Sequence, residues 1–156
     1  MSAGNSTLAP SFVVFQVGTR RVALSQDCVS ELIASPMQFS FPHTTPLLAG
    51  VVLRRGRIVP VLDLGTSLTG VFSPPARFFL VAERYFSNIS ERCAIPVQGE
   101  CELVTGTILP AEGREDFVTG CLNHNDERID VLDLEKAIAA GARILAEPNP
   151  APGAAS

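Results

Sequence analysis

The 156-residue chain has no tryptophan, one tyrosine and two histidines. With 46% hydrophobic residues, its interior must be built from Val, Leu, Ile and nine Phe. Its four cysteines, Cys28, Cys93, Cys101 and Cys121, form no C-x-x-C pair, and His43 and His124 add no metal-ligand spacing. Three of the four cysteines fall in apolar, strand-like runs, where a reduced, buried thiol is expected. Cations are outnumbered, 12 Lys and Arg against 16 Asp and Glu, for a net charge of −4. That balance argues against nucleic acid as a partner, which needs surplus cations to replace phosphate counterions. No apolar run approaches the roughly 20 residues of a membrane helix, so no membrane insertion is expected. The opening MSAGNSTLAP lacks the basic start and apolar stretch of a secretory leader. The expectation is a cytoplasmic chain, with Asn5 and Asn88 unglycosylated despite their N-x-[ST] context. Phosphate-loop, nucleophile-elbow, H-E-x-x-H and dinucleotide signatures are all missing. That lowers the odds of an enzyme, and neither a catalytic residue nor a cofactor or metal is expected.

What the chain does have is short β-branched and aromatic runs broken by turn residues, the pattern of an all-β protein. Phe12–Val17 and Arg21–Ser25 flank Gly18-Thr19 and read as a hairpin. QDCVSELIA (26–34) reads as a helical turn or a bent strand, and 35–46, with Pro36, Pro42 and Pro46, as a loop or interrupted edge strand. Val51–Leu53 and Ile58–Leu64 enclose the charged turn Arg54-Arg55-Gly56-Arg57, a second hairpin. After a 65–76 connector, RFFLVAE (77–83) and RCAIPVQG (92–99) form a third with a longer loop. A fourth carries Asn125-Asp126 at its tip, and 134–142 is helical in composition. Residues 1–10 and 144–156 are expected to be unstructured.

One pattern is written twice. LLAGVVLRRGRIVPVLDL, from Leu47, and FVTGCLNHNDERIDVLDL, from Phe117, align without gaps. They agree at Gly50/Gly120, Val61/Val131, Leu62/Leu132, Asp63/Asp133 and Leu64/Leu134. RVALSQDCVSEL from Arg21 and RCAIPVQGECEL from Arg92 form a second matched pair. The chain is therefore read as a duplication, with halves at about 12–70 and 77–140 inside one domain spanning 11–143. Each half is near the lower size limit for burying a core alone, which two small barrels packed together would remedy.

At these residues the chain resembles the CheW family of coupling proteins in bacterial chemosensory arrays. The resemblance runs from FVVFQVGTRRVALSQDCVSEL through GVVLRRGRIVPVLDL and CAIPVQGECEL to FVTGCLNHNDERIDVLDLEKAI, about residues 12–140. It implies two intertwined five-stranded SH3-like barrels with a short C-terminal helix, and no catalytic activity. The implied partners are the regulatory domain of a CheA-type histidine kinase and the cytoplasmic tip of a chemoreceptor. Two places depart from the family. Leu53-Arg54 stands where the family has Asn-Leu, and Val97-Gln98 where members often carry Val-Asp.

Arg55 sits at the place of the family's turn arginine, which the resemblance links to partner contact. Arg54 and Arg57 extend that cluster, offering fork-shaped donors to a partner's carboxylates. Val29 and Glu31 match the family's Val-x-Glu; Val29 is read as core packing or an interface anchor, and Glu31 as pairing with Arg55 or with a partner. Gly50, Gly56 and Gly120 are expected to be structural, at bulges or at a turn needing positive φ. Asp63 and Asp133 are expected to bond backbone amides at strand ends. His43 and His124 are expected at the surface. Two rivals stand beside the adaptor: a divergent CheW-like adaptor for pilus motility or second-messenger control, and a small-ligand or hydrolytic barrel using Asp63 and Asp133.

Overall fold

Most apolar residues of this chain alternate in pairs of faces, and the strands follow that alternation. The computed structural model describes residues 9–34, 38–39, 48–69, 76–86, 89–111, 115–137 and 139. In chain order the strands are β1 (Ser11–Val17), β2 (Arg20–Ser25), β3 (Val29–Ala34), β4 (Gln38–Phe39), β5 (Leu48–Arg54) and β6 (Arg57–Leu62). They continue as β7 (Phe78–Phe86), β8 (Ile89–Val97), β9 (Glu102–Thr105), β10 (Val118–His124) and β11 (Glu127–Leu132). A 3₁₀ turn, Gln26–Cys28, precedes β3; a short helix, Gly65–Leu68, follows β6; helical backbone runs over 134–137 and recurs at 139.

Two curled sheets result, in the orders β10-β11-β2-β1-β9 and β3-β7-β8-β6-β5-β4. Each contains one parallel junction: Val131 opposite Ala23 in the first barrel, Val61 opposite Ala94 in the second. These are the residues that the internal repeat aligns. Each barrel thus takes two opening strands from one half and its closing strands from the other, three in the first barrel and four in the second. The halves at 12–70 and 77–140 repeat in sequence, and closure exchanges strands between them.

The sequence pattern explains why. Opening strands are buried on both faces, so they read as nearly unbroken apolar runs. In β1, Phe12 and Val14 point into the first barrel while Phe15 and Val17 point into a central core between the barrels. In β7, Phe79 and Val81 face the second barrel while Leu80 and Ala82 face the centre. The twice-written Val-Leu-Asp-Leu is divided in the same way. Val61 and Val131 fill the barrels, and Leu62, Leu64, Leu132 and Leu134 fill the centre. The barrel cores correspond position by position. Phe12, Val14, Ala23, Val104, Leu122, Ile129 and Val131 match Phe79, Val81, Ala94, Ile33, Val52, Val59 and Val61.

The paired glycines mark paired bulges. Pairing slips between Leu48 and Gly50 and between Val118 and Gly120. A Cβ on Gly50 would lie 2.5 Å from the Phe39 carbonyl oxygen, and one on Gly120 2.7 Å from that of Leu109. Only a residue without a side chain admits the neighbouring backbone there.

Some details differ from the sequence reading. The second sheet gains a sixth, two-residue edge strand, β4. Much of the expected 84–91 loop is strand, because β7 and β8 pair out to Phe86 opposite Ile89. The segment 26–34 is both things expected of it, a turn and then a strand. The 65–76 connector opens as a helix. Cys93 and Cys121 are buried, but Cys28 and Cys101 are half-buried. His43, Asn5, Asn88, most of the 1–10 lead-in and the 144–156 tail lie outside the described residues.

Candidate partner-binding hairpin

The β5–β6 hairpin turns on Arg55 (φ +54) and Gly56 (φ +77), a two-residue loop with both angles positive, as the right-handed strand twist favours. Counting back from that turn fixes which side chains face out. Val52 and Val59 point into the barrel; Leu53 and Ile58, directly opposite each other, point away. They are 53% and 66% exposed. Single exposed aliphatics are ordinary, but a facing pair beside a cationic tip has no task inside this fold. Phe39 on β4, opposite Val51, continues the outer apolar face at 42% exposure.

Left-handed backbone costs an ordinary L-residue about 1–2 kcal/mol. Gly56 escapes this cost and Arg55 does not. The equivalent turn of the first barrel, β10–β11, uses Asn125 (φ +52) and Asp126 (φ +65), short polar side chains that tolerate it. An arginine held in such a conformation at a loop tip is the kind of local strain that accompanies function.

The five residues singled out in the sequence are separated by the structure. Arg55 and Arg57 are exposed on the hairpin. Arg54, directly opposite Arg57 across the strand pair, makes a fork to Glu31: Nη2 to Oε1 at 2.7 Å and Nε to Oε2 at 3.1 Å. Glu31 pairs with Arg54, not with Arg55. Those hydrogen bonds hold the Glu31 carboxyl below the usual carboxylate range, against a smaller opposing effect of burial. Since β3 and β5 lie near opposite ends of the sheet order, this pair fastens the curl of the second barrel. Glu102 and His124 occupy the same two places in the first barrel, 3.1 Å apart. His124 is accordingly half-buried and bonded rather than a free surface residue. Val29 is half-buried against the central core.

Asp63 and Asp133 are turn caps. Asp63 Oδ1 accepts from the Gly65 amide at 2.9 Å, and Asp133 Oδ1 from the Lys136 amide at 3.0 Å. Each starts the helical turn after its Val-Leu-Asp-Leu, which satisfies otherwise orphaned amides. That use does not favour reading them as a hydrolytic pair. Among the described residues, no group of three His, Cys, Asp or Glu is placed to hold a metal, and no helix is long and apolar enough to cross a membrane.

The sequence reading missed Leu53 and Ile58. The signal was present: once Arg55-Gly56 is taken as a two-residue turn, strand alternation forces that pair outward.

Comparison with known proteins adds to this geometry. A family model described as CheW-like domain matches residues 11–142. Among solved structures, the scaffolding protein TtCheW from Thermoanaerobacter tengcongensis superposes with a TM-score of 0.68 at 19% identity. The match covers 81% of this chain and 90% of that one. A search of curated protein sequences finds no match.

Proposed function

The chain belongs to the CheW-like domain family, and from that premise we propose that it is a non-catalytic adaptor in a bacterial chemosensory signalling complex. In this reading it couples the cytoplasmic tip of a methyl-accepting chemoreceptor to the regulatory domain of a CheA-type histidine kinase. The observation that carries it, within a family-matched chain, is the β5–β6 hairpin. An uncovered Leu53–Ile58 pair lies beside the exposed cations Arg55 and Arg57. Aliphatic anchors give a docking face its apolar contact, and arginines supply directional bonds to carboxylates. On a chain of net charge −4, that positive tip also orients an approaching acidic surface.

The mechanism is linkage. A body whose barrels share a central core holds two partners at a fixed separation. A shift in the receptor then changes the relative stability of kinase states by as much as the docked geometry differs between them.

Calorimetric titration against the regulatory domain of the cognate kinase tests this, using wild type and Arg55→Ala. The expected result is weaker binding by the variant with an unchanged melting temperature or a slightly raised one. Equal affinities would remove Arg55 from the contact.

A further inference from the structure

The duplication supplies an internal control for one surface feature of the second barrel. In the first barrel, Arg21 on β2 is ion-paired with Glu127, the first residue of β11, and lies 3.2 Å from Glu102. The repeat places Arg92 of β8 where Arg21 stands, and Arg57 of β6 where Glu127 stands. A carboxylate facing a guanidinium in one barrel is thus two guanidiniums in the other. Arg57 and Arg92 are both exposed, and with Ile58 and Val59 they bound a cavity of about 230 Å³. Arg92 donates from Nε to Glu83 Oε2 at 3.0 Å and lies within electrostatic reach of Glu31. Among the described residues Arg57 forms no ion pair. Arg54, the remaining nearby cation with a fixed partner, is engaged by Glu31.

Two like charges across a small cavity repel unless an anion lies between them, and a carboxylate can accept from two guanidinium forks at once. We propose that Arg57 and Arg92 form a receptor pocket for an acidic side chain of the docked protein partner. That side chain does in trans what Glu127 does within the first barrel. Ile58 and Val59 line the cavity beside the stem, while the two arginines take the carboxylate. The pocket shares Ile58 with the exposed Leu53–Ile58 pair, so an acidic residue with apolar neighbours on the partner would suit both. This proposal rests on the docking reading above and narrows it to the chemistry of the partner's contact.

The test has two arms, one of which needs no partner. In the first, Arg Nε–H resonances of the full chain are followed during titration with glutarate, a carboxylate with a short aliphatic stem, against chloride at equal ionic strength. Arg57 and Arg92 should respond to glutarate beyond chloride, and Arg92→Gln should abolish the response. No response in wild type overturns the pocket. In the second arm, the kinase regulatory domain is titrated with wild type, Arg92→Lys and Arg57→Glu. Arg57→Glu recreates the carboxylate–arginine pairing of the first barrel; it should fold at least as well as wild type and bind roughly tenfold more weakly. Arg92→Lys, which keeps charge but loses the fork, should fall between the two. Wild-type affinity in Arg57→Glu overturns the proposal. A glutarate response without any binding of the kinase domain supports the pocket and overturns the choice of partner, which separates the two claims.

Discussion

The β5–β6 and β10–β11 hairpins align in sequence, share a turn geometry and follow paired glycine bulges, yet they present opposite surfaces. One shows Leu53, Ile58 and an arginine-rich tip; at the same places the other shows Asn123, Arg128 and Asn125-Asp126. Inside the barrels the corresponding residues stay apolar in every pair. The interiors of both copies must satisfy the same packing, whereas a surface is free to diverge once a single copy carries the contact. The difference therefore fits the proposed docking role, where the similarity fits the shared fold.

The largest expected effects test the similarity. Ile129→Ala removes a fully buried side chain from the first barrel and should cost about 2–5 kcal/mol in denaturant unfolding. Val59→Ala at the matching place should cost less, in proportion to its smaller side chain, and in the same single transition. Two separated transitions would break the idea of one body with a shared centre. Next, Gly50→Ala and Gly120→Ala should each cost about 1–3 kcal/mol, since both drive a Cβ into a backbone carbonyl. A tolerated alanine at either place would break the pairing of the bulges.

Smaller effects sharpen the difference. Arg55→Asn gives the second barrel the turn chemistry of the first and should raise stability by up to roughly 1 kcal/mol. The same change should weaken docking, a trade of stability against contact. The Glu31–Arg54 fastening also has a pH signature. Its carboxyl is lowered from the usual 4.5, so its contribution is complete above that value and is lost as pH falls through the lowered one. The stability gap between wild type and Glu31→Gln should hold steady at neutral pH and narrow only in acid. A gap that closes near neutrality would show that another group controls the fastening. The least effect concerns thiols. Burial pushes Cys101 up to about 11, and burial followed by Asp27 raises Cys28, so both should alkylate slowly at neutral pH.

The sequence made much of the fold legible, because a duplication writes its constraints twice. Gly50/Gly120 and the repeated Val-Leu-Asp-Leu stood out as text before they stood out as bulges and core. The exchange of strands between halves was harder to see. It depends on which strands meet in parallel, Val61 with Ala94 and Val131 with Ala23, and no local pattern encodes that meeting. At the hairpin, Arg55 and Arg57 were singled out by their charge, and both are exposed. Arg54 was grouped with them because adjacency in sequence hides its pairing with Glu31, on a strand distant in the chain. Arg92 was not singled out, since it meets Arg57 only through the β6–β8 junction, far from it in the chain.

In the proposed function, one of two equivalent hairpins became the docking face. Backbone amide shifts of the labelled chain, recorded on addition of the kinase regulatory domain, test it most directly. Perturbations should concentrate over 53–58 and at Arg92, leaving 123–128 unchanged. Shifts confined to 123–128, or divided equally between the two hairpins, would contradict it.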